Sequence, residues 1–243
     1  MVEINNLTFM YGRNQVFDNI SLTMGSGKIY GLLGENGVGK TTLLRIIGGL
    51  LYPKTGSCKV FGEVAGKRLP AVLQEIFYIP EDFTVPAVNI LDYARRNGAL
   101  YPKFSMKQYE DYLKEFSVPT QRKFTELSFG QRKKAFIAFA LSVNTKLLLL
   151  DEPTNGLDIP SKSQFRRLVA QALTDENTFV IATHQVRDLE NLIDPIVILD
   201  NNEVLLNHSV EEISRKFDFG SDFEQLFNAV IADKAKFRQL FNE

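Results

Sequence analysis

Gly34-Glu35-Asn36-Gly37-Val38-Gly39-Lys40-Thr41-Thr42 satisfies the pattern G-x-x-x-x-G-K-[ST], and residues 28–33 before it read as a short buried strand. Residues 41–47 then show helical apolar spacing, which completes the strand, loop and helix context that the pattern requires. Gly34, Gly37 and Gly39 permit backbone approaches that a side chain blocks, so successive amides can turn inward around phosphate oxygens. The helix N-terminus behind them favours the same anions through its free N–H groups and macrodipole. Lys40 adds a full positive charge for β- and γ-phosphates. The Thr41 hydroxyl suits Mg²⁺, a hard cation that prefers oxygen, and Thr42 is placed for the α-phosphate side.

About a hundred residues on, Leu147-Leu148-Leu149-Leu150 reads as a buried parallel strand that ends in Asp151 and Glu152. Functional groups of open α/β sheets collect at such carboxyl ends. Side chains alternate along a strand, so the two adjacent carboxylates are expected to divide the work. Asp151 is assigned to Mg²⁺, through a coordinated water, and Glu152 to the attacking water as general base. Between the two motifs lies Leu127-Ser128-Phe129-Gly130-Gln131, where Ser128 can cap a helix beginning near Gly130.

That last motif resembles the signature of ATP-binding-cassette (ABC) ATPases, and the resemblance spans most of the chain, closest to the ATP-binding subunits of the exporter-type (ABC-2) transporters. Asp151-Glu152-Pro153-Thr154-Asn155-Gly156-Leu157-Asp158 is similar to the family's Walker B and D-loop run, with Asp158 at the D-loop aspartate. His184 falls at the switch-histidine position, and Tyr11 matches the aromatic that stacks on adenine, with Val16 as an apolar contact to the same ring. The resemblance implies an α/β P-loop NTPase fold: a RecA-like parallel core, an antiparallel β lobe and an α-helical signature lobe at about residues 88–142. It implies Mg²⁺-dependent ATP hydrolysis with Glu152, His184 and Lys40 catalytic. The loop Gly34, Glu35, Asn36, Gly37, Val38, Gly39, Lys40, Thr41 and Thr42 would hold the nucleotide, with Thr41, Asp151 and Glu81 at the metal. Ser128, Gly130, Gln131 and Asp158 would complete the site of a second copy, packed head to tail.

Two positions depart from the common pattern. Phe129 replaces the usual small residue, and Glu81, in Ile79-Pro80-Glu81, stands where many relatives have glutamine. A carboxylate there can reach Mg²⁺ or the attacking water but adds negative charge beside Asp151 and Glu152.

The 243 residues are 44% apolar, enough for one domain with a large core, divided here into residues 1–208 and a helical tail, 209–243. The tail's helical candidates lie near 209–216 and 222–240, the second carrying Phe223, Leu226, Phe227, Val230 and Ile231 on one face, which is expected to pack on the domain itself, with a partner as the alternative. The single Cys58 suits a reducing compartment, and no secretory pattern opens the chain. No stretch reaches the ~18 to 20 apolar residues needed to cross a bilayer. A net charge of −1 lacks the footprint of a nucleic-acid binder, and Arg132-Lys133-Lys134 reads as a solvated helix face. The expected partners are integral-membrane permease subunits and a second ATPase copy. The expected location is cytoplasmic, peripheral on the inner face of the membrane. The competing class is a soluble cassette ATPase that remodels nucleic acid or a protein complex, whose relatives commonly carry coiled-coil, cluster-binding or tandem features absent here.

Overall fold

The computed structural model describes residues 1–189, 191–220 and 222–241, so residues 221, 242 and 243 of the expected tail lie outside the described residues. The chain opens with β1 (Val2–Tyr11), β2 (Asn14–Met24), β3 (Ile29–Leu33) and α1 (Lys40–Ile47), then β4 (Thr55–Val60), β5 (Glu63–Val64), α2 (Pro70–Leu73) and β6 (Ile76–Ile79). Helices α3 (Ile90–Gly98), α4 (Met106–Glu115) and α5 (Phe129–Ser142) follow, then β7 (Leu147–Asp151), α6 (Ile159–Ala172) and β8 (Thr178–Thr183). It closes with β9 (Ile196–Asp200), β10 (Glu203–His208), α7 (Val210–Lys216), α8 (Phe223–Ala232) and α9 (Lys234–Phe241).

Two sheets result. An antiparallel sheet runs β2-β1-β4-β5, and a six-stranded sheet runs β10-β9-β3-β8-β7-β6. In the larger sheet β9, β3, β8, β7 and β6 are parallel, and β10 joins the edge antiparallel. The β9 to β10 hairpin turns at Asn201 and Asn202, both at positive φ (42° and 71°), as a two-residue turn of matching twist demands.

The parallel strands are buried on both faces, and alternate residues enter different cores. Leu147, Leu149, Val180, Ala182, Val197 and Leu199 join α1 and the antiparallel sheet in one apolar cluster. Leu148, Leu150, Phe179, Ile181, Ile196 and Ile198 join the second cluster, with the 90–143 helices. The sheet is therefore a wall between two separate bodies of packing. Cys58 is buried in the first, and desolvation pushes its thiol up to about 12, so it packs as a small apolar residue.

The tail differs from the expected single helix over 222–240. Asp233 leaves helical geometry (φ −138°, ψ 69°), and its carboxylate accepts from the Lys236 amide at 3.0 Å, ending α8 and capping α9. Both helices bury apolar residues in the second core: Phe223, Leu226 and Val230 from α8, Phe237 and Phe241 from α9.

Candidate nucleotide site

The carboxyl ends of β3, β7 and β8 lie side by side, with Leu33 in register with Thr183 and Asp151 with Ala182. They surround a cavity of about 440 Å³ lined by Asn36, Gly37, Gly39, Lys40, Thr41, Thr42, Glu81, Asp151, Glu152, Asn155 and His184. Glycine is required at the loop for two different reasons. Gly39 has φ 112°, and a Cβ there would lie 2.9 Å from the Phe17 ring and 2.8 Å from Val16. A Cβ on Gly34 would lie 2.7 Å from the Leu199 carbonyl oxygen. The loop thus folds tightly onto β2 and β9 and leaves its amide side to the cavity.

Lys40 is buried at the first position of α1. Its ammonium donates to the Gly34 carbonyl at 2.8 Å and the Glu35 carbonyl at 3.1 Å, and lies 3.8 Å from Glu152 Oε1. Burial pulls its pKa down, and the negative charges of Glu152, Asp151 and Glu81 oppose the fall. Phosphate oxygens entering the cradle would compete with these two carbonyls for the same ammonium.

Asp151 and Glu152 occupy distinct surroundings: Asp151 is the last residue of β7, and Glu152 leaves the strand at φ 45°. Asp151 accepts from the Tyr78 hydroxyl at 3.2 Å through Oδ2, while its buried Oδ1 has no hydrogen-bond partner among the described residues. Desolvation raises its pKa; the hydroxyls of Thr41 and Tyr78 oppose that, and the charges of Glu152 and Glu81 add to it. An orphaned carboxylate oxygen beside the Thr41 hydroxyl fits Mg²⁺, which takes one or two protein oxygens and keeps water for the rest. No cluster of three His, Cys, Asp or Glu side chains that could hold a metal occurs among the described residues.

The Glu152 carboxylate is held on both oxygens. Oε1 accepts from the His184 amide at 3.0 Å and lies 2.7 Å from His184 Nδ1, and Oε2 accepts from the Thr183 hydroxyl at 2.9 Å. Its backbone is left-handed, at φ 45°. Across the cavity Glu81 Oε1 accepts from the Asn155 side-chain amide at 2.8 Å. Tyr78, Asn155 and Thr183 were not legible as site residues: each acts through a contact between distant segments.

Several expected residues lie outside the cavity wall. The Gly34 and Glu35 carbonyls hold Lys40 from behind, and Val38 presses on Gly34. Val16 is buried against Gly39, and Tyr11 stands half exposed at the end of β1, edge-on to Phe9. Ser128 caps α5, accepting from the Gln131 amide at 3.3 Å while Gln131 Oε1 returns a bond to the Ser128 amide at 3.1 Å. Gly130 packs toward the Gly156 carbonyl, and Asp158 caps α6 by accepting from the Ser161 amide at 2.9 Å. The capped turn of α5 thus belongs to a surface apart from its own chain's phosphate cradle.

The run 132–134 is not the solvated face that its charge suggests. Lys133 is wholly buried and donates to the carbonyls of Glu152 at 2.5 Å and Asn155 at 3.0 Å. Arg132 turns back onto the carbonyls of Phe124, Thr125 and Leu127. Both spend their donors on backbone carbonyls of irregular chain, those of Glu152 and Phe124 also accepting from the Asn155 and Leu127 amides at 3.2 Å.

Comparison with known proteins agrees with this geometry. Residues 17–155 match the protein family described as ABC transporter. The chain is 30% identical over 224 residues to the ABC transporter ATP-binding protein YtrB of Bacillus subtilis (strain 168), covering 89% of this chain and 75% of that one. Its fold is that of a solved ATP-binding subunit of an ABC transporter, with TM-score 0.85 at 23% identity, covering 95% of this chain and 99% of that one. A second solved fold, the ATP-binding cassette MJ0796 as a dimer in a post-hydrolysis state with ADP and Pi, superposes with TM-score 0.76 at 23% identity, covering 86% of this chain and 99% of that one. The glycine cradle, the paired carboxylates beyond β7 and these likenesses lead to one conclusion: the chain belongs to the ABC transporter family, as one of its ATP-binding ATPases.

Proposed function

We propose that this ATPase energises a membrane exporter by closing head to tail with a second cassette over ATP, and that Glu152 is its general base. The carrying observation is the convergence of Lys40, Thr41, Asp151, Glu152 and His184 on one cavity, while the capped turn at Ser128 lies outside it. Each chain then holds half of what two sites need. Ser128, Gly130 and Gln131 offer a helix N-terminus to the γ-phosphate held by the partner, with Asp158 at the same seam.

Within the cavity Lys40 neutralises the β- and γ-phosphates, and Thr41 and Asp151 hold Mg²⁺, with Glu81 beside them. When bound, Mg²⁺ supplies positive charge to the phosphate oxygens as a Lewis acid. Glu152 takes the proton of the attacking water, and His184 orients that carboxylate and the γ-phosphate. Tyr11 and Val16 form the platform for the adenine ring. The export direction rests on the stretch Leu100-Tyr101-Pro102-Lys103-Phe104-Ser105, the short helical lobe and the Pro80-Glu81 form, which resemble exporter-type cassettes. The working place is the inner face of the membrane, against a permease; no helix among the described residues is long and apolar enough to cross it.

A tagged Glu152→Gln variant should keep ATP affinity and lose turnover by roughly a hundredfold to ten-thousandfold, the loss typical of removing a general base. Purified from gently solubilised membranes with ATP and Mg²⁺, it should bring a multi-spanning protein in fixed proportion. Recovery of a soluble complex alone would sink the transporter assignment. In inverted vesicles carrying the wild-type complex, external ATP should drive solute inward; ATP-driven release of preloaded solute would mean import.

A further inference from the structure

Lys133 joins the signature helix to the catalytic turn, and we propose that it is a positioning residue for hydrolysis, fixing the Glu152 backbone so that its carboxylate is aimed at the cavity. This rests on the reading of Glu152 as general base. The Lys133 ammonium is buried between α5 and the turn after β7, and spends two of its three donors on that turn, at the Glu152 and Asn155 carbonyls. The Glu152 amide is itself bonded to the Ala182 carbonyl at 2.9 Å, so both sides of a left-handed residue are tied down. L side chains rarely adopt that conformation, and one that persists is held by its surroundings. Here the holding groups are named: Ala182 on β8, Lys133 on α5, and the Asn155 amide, which shares the Glu152 carbonyl with Lys133 at a longer 3.2 Å.

The second carbonyl extends the role across the cavity. Asn155 receives Lys133 at its backbone and gives its side-chain amide to Glu81, so one ammonium braces the turn that carries Glu152 and the contact that holds Glu81. Burial pulls the Lys133 pKa down, and the charges of Glu81, Glu152, Asp82 and Asp151 hold it up. The Phe129 ring, more than half exposed, stands near the same ammonium. It lies 6.0 Å from the ammonium and against Gly156, where a Cβ would come 2.6 Å from the ring.

The test compares wild type with Lys133→Met and Lys133→Gln, in whichever preparation of the full chain, free or with its membrane partner, hydrolyses ATP. Lys133→Met should lower kcat at least tenfold while the ATP Kd from calorimetry stays within twofold. Lys133→Gln, which keeps an N–H donor, should recover part of that loss. In the Glu152→Gln background, Lys133→Met should add no further loss of kcat, because the group it positions is gone. Wild-type kcat in Lys133→Met, equal losses of kcat and affinity, or full additivity with Glu152→Gln would overturn the proposal. Should the Met variant not fold, the Gln variant carries the same division between kcat and Kd. Failure of the general-base reading shows separately, as wild-type turnover in Glu152→Gln alone.

Discussion

Asp151 illustrates how a single residue can be kept for function at a cost to the fold. Its carboxyl pKa is raised in the folded chain, chiefly by burial. A raised acid contributes stability that is complete below the unfolded pKa and is lost as pH rises through the folded one, so above that pH the ionised group has given that contribution up. Asp151→Asn, a fixed neutral mimic, should therefore raise the unfolding midpoint of the nucleotide-free protein, by about 2–4 °C for each kcal/mol gained at this chain length. It should weaken Mg²⁺-dependent ATP turnover at the same time. Calorimetric melting beside a phosphate-release assay reads both, and a lowered midpoint would show that the carboxylate stabilises the empty site. At this scale the loop 34–42 and the pair Asp151-Glu152 are legible in the sequence, because local backbone and strand alternation fix their placement. Lys133 is not: a lysine in a basic run reads as solvated, and only the turn folded against α5 supplies the two carbonyls that make burial tolerable.

Elements that carry their own caps are legible, and those defined by a distant partner are not. The Ser128 to Gln131 box announces α5, and Ser209 with Glu212 announces α7 by the same reciprocal bonds. The break at Asp233 also had a local signal, an Asp three residues before the amide it caps, which the strong apolar period of residues 222–240 obscured. By contrast β6, four residues long, has no period of its own and is a strand because Leu147 to Leu150 lie beside it in register. At α5, cap and anion site can be separated by substitution. Ser128→Ala should cost about 1 kcal/mol of stability through loss of the cap. Ser128→Asp keeps a capping oxygen, and should hold the unfolding midpoint near wild type while placing a negative charge where the partner's γ-phosphate would lie. Turnover at least tenfold lower in the Asp variant, at retained stability, is the expected pattern; equal turnover would remove this helix end from the proposed site.

Over the whole molecule, the tail and the helical lobe share one core, and periodicity alone does not name the lobe that the tail's apolar face meets. Leu226 on α8 is fully buried in the same cluster as Ile137 and Phe139 of α5. Leu226→Ala should cost about 2–5 kcal/mol and lower a single cooperative transition, by about 2–4 °C per kcal/mol, visible alike to far-ultraviolet circular dichroism and to calorimetry. An early transition confined to a few helices' worth of signal would instead mark residues 209–243 as an independent unit. The partition of the parallel strands between two bodies of packing reaches further than stability. Along β7, Leu147 and Leu149 point to the α1 side and Leu148 and Leu150 to the helical side, and the two acids that follow inherit different neighbourhoods: Asp151 with Thr41 and Tyr78, Glu152 with Thr183, His184 and the ammonium on α5. Under the roles proposed for Asp151 and Glu152, grip on the metal and speed of hydrolysis would be two heritable traits with largely separate genetic addresses, which a lineage could retune by drift in different halves of the interior.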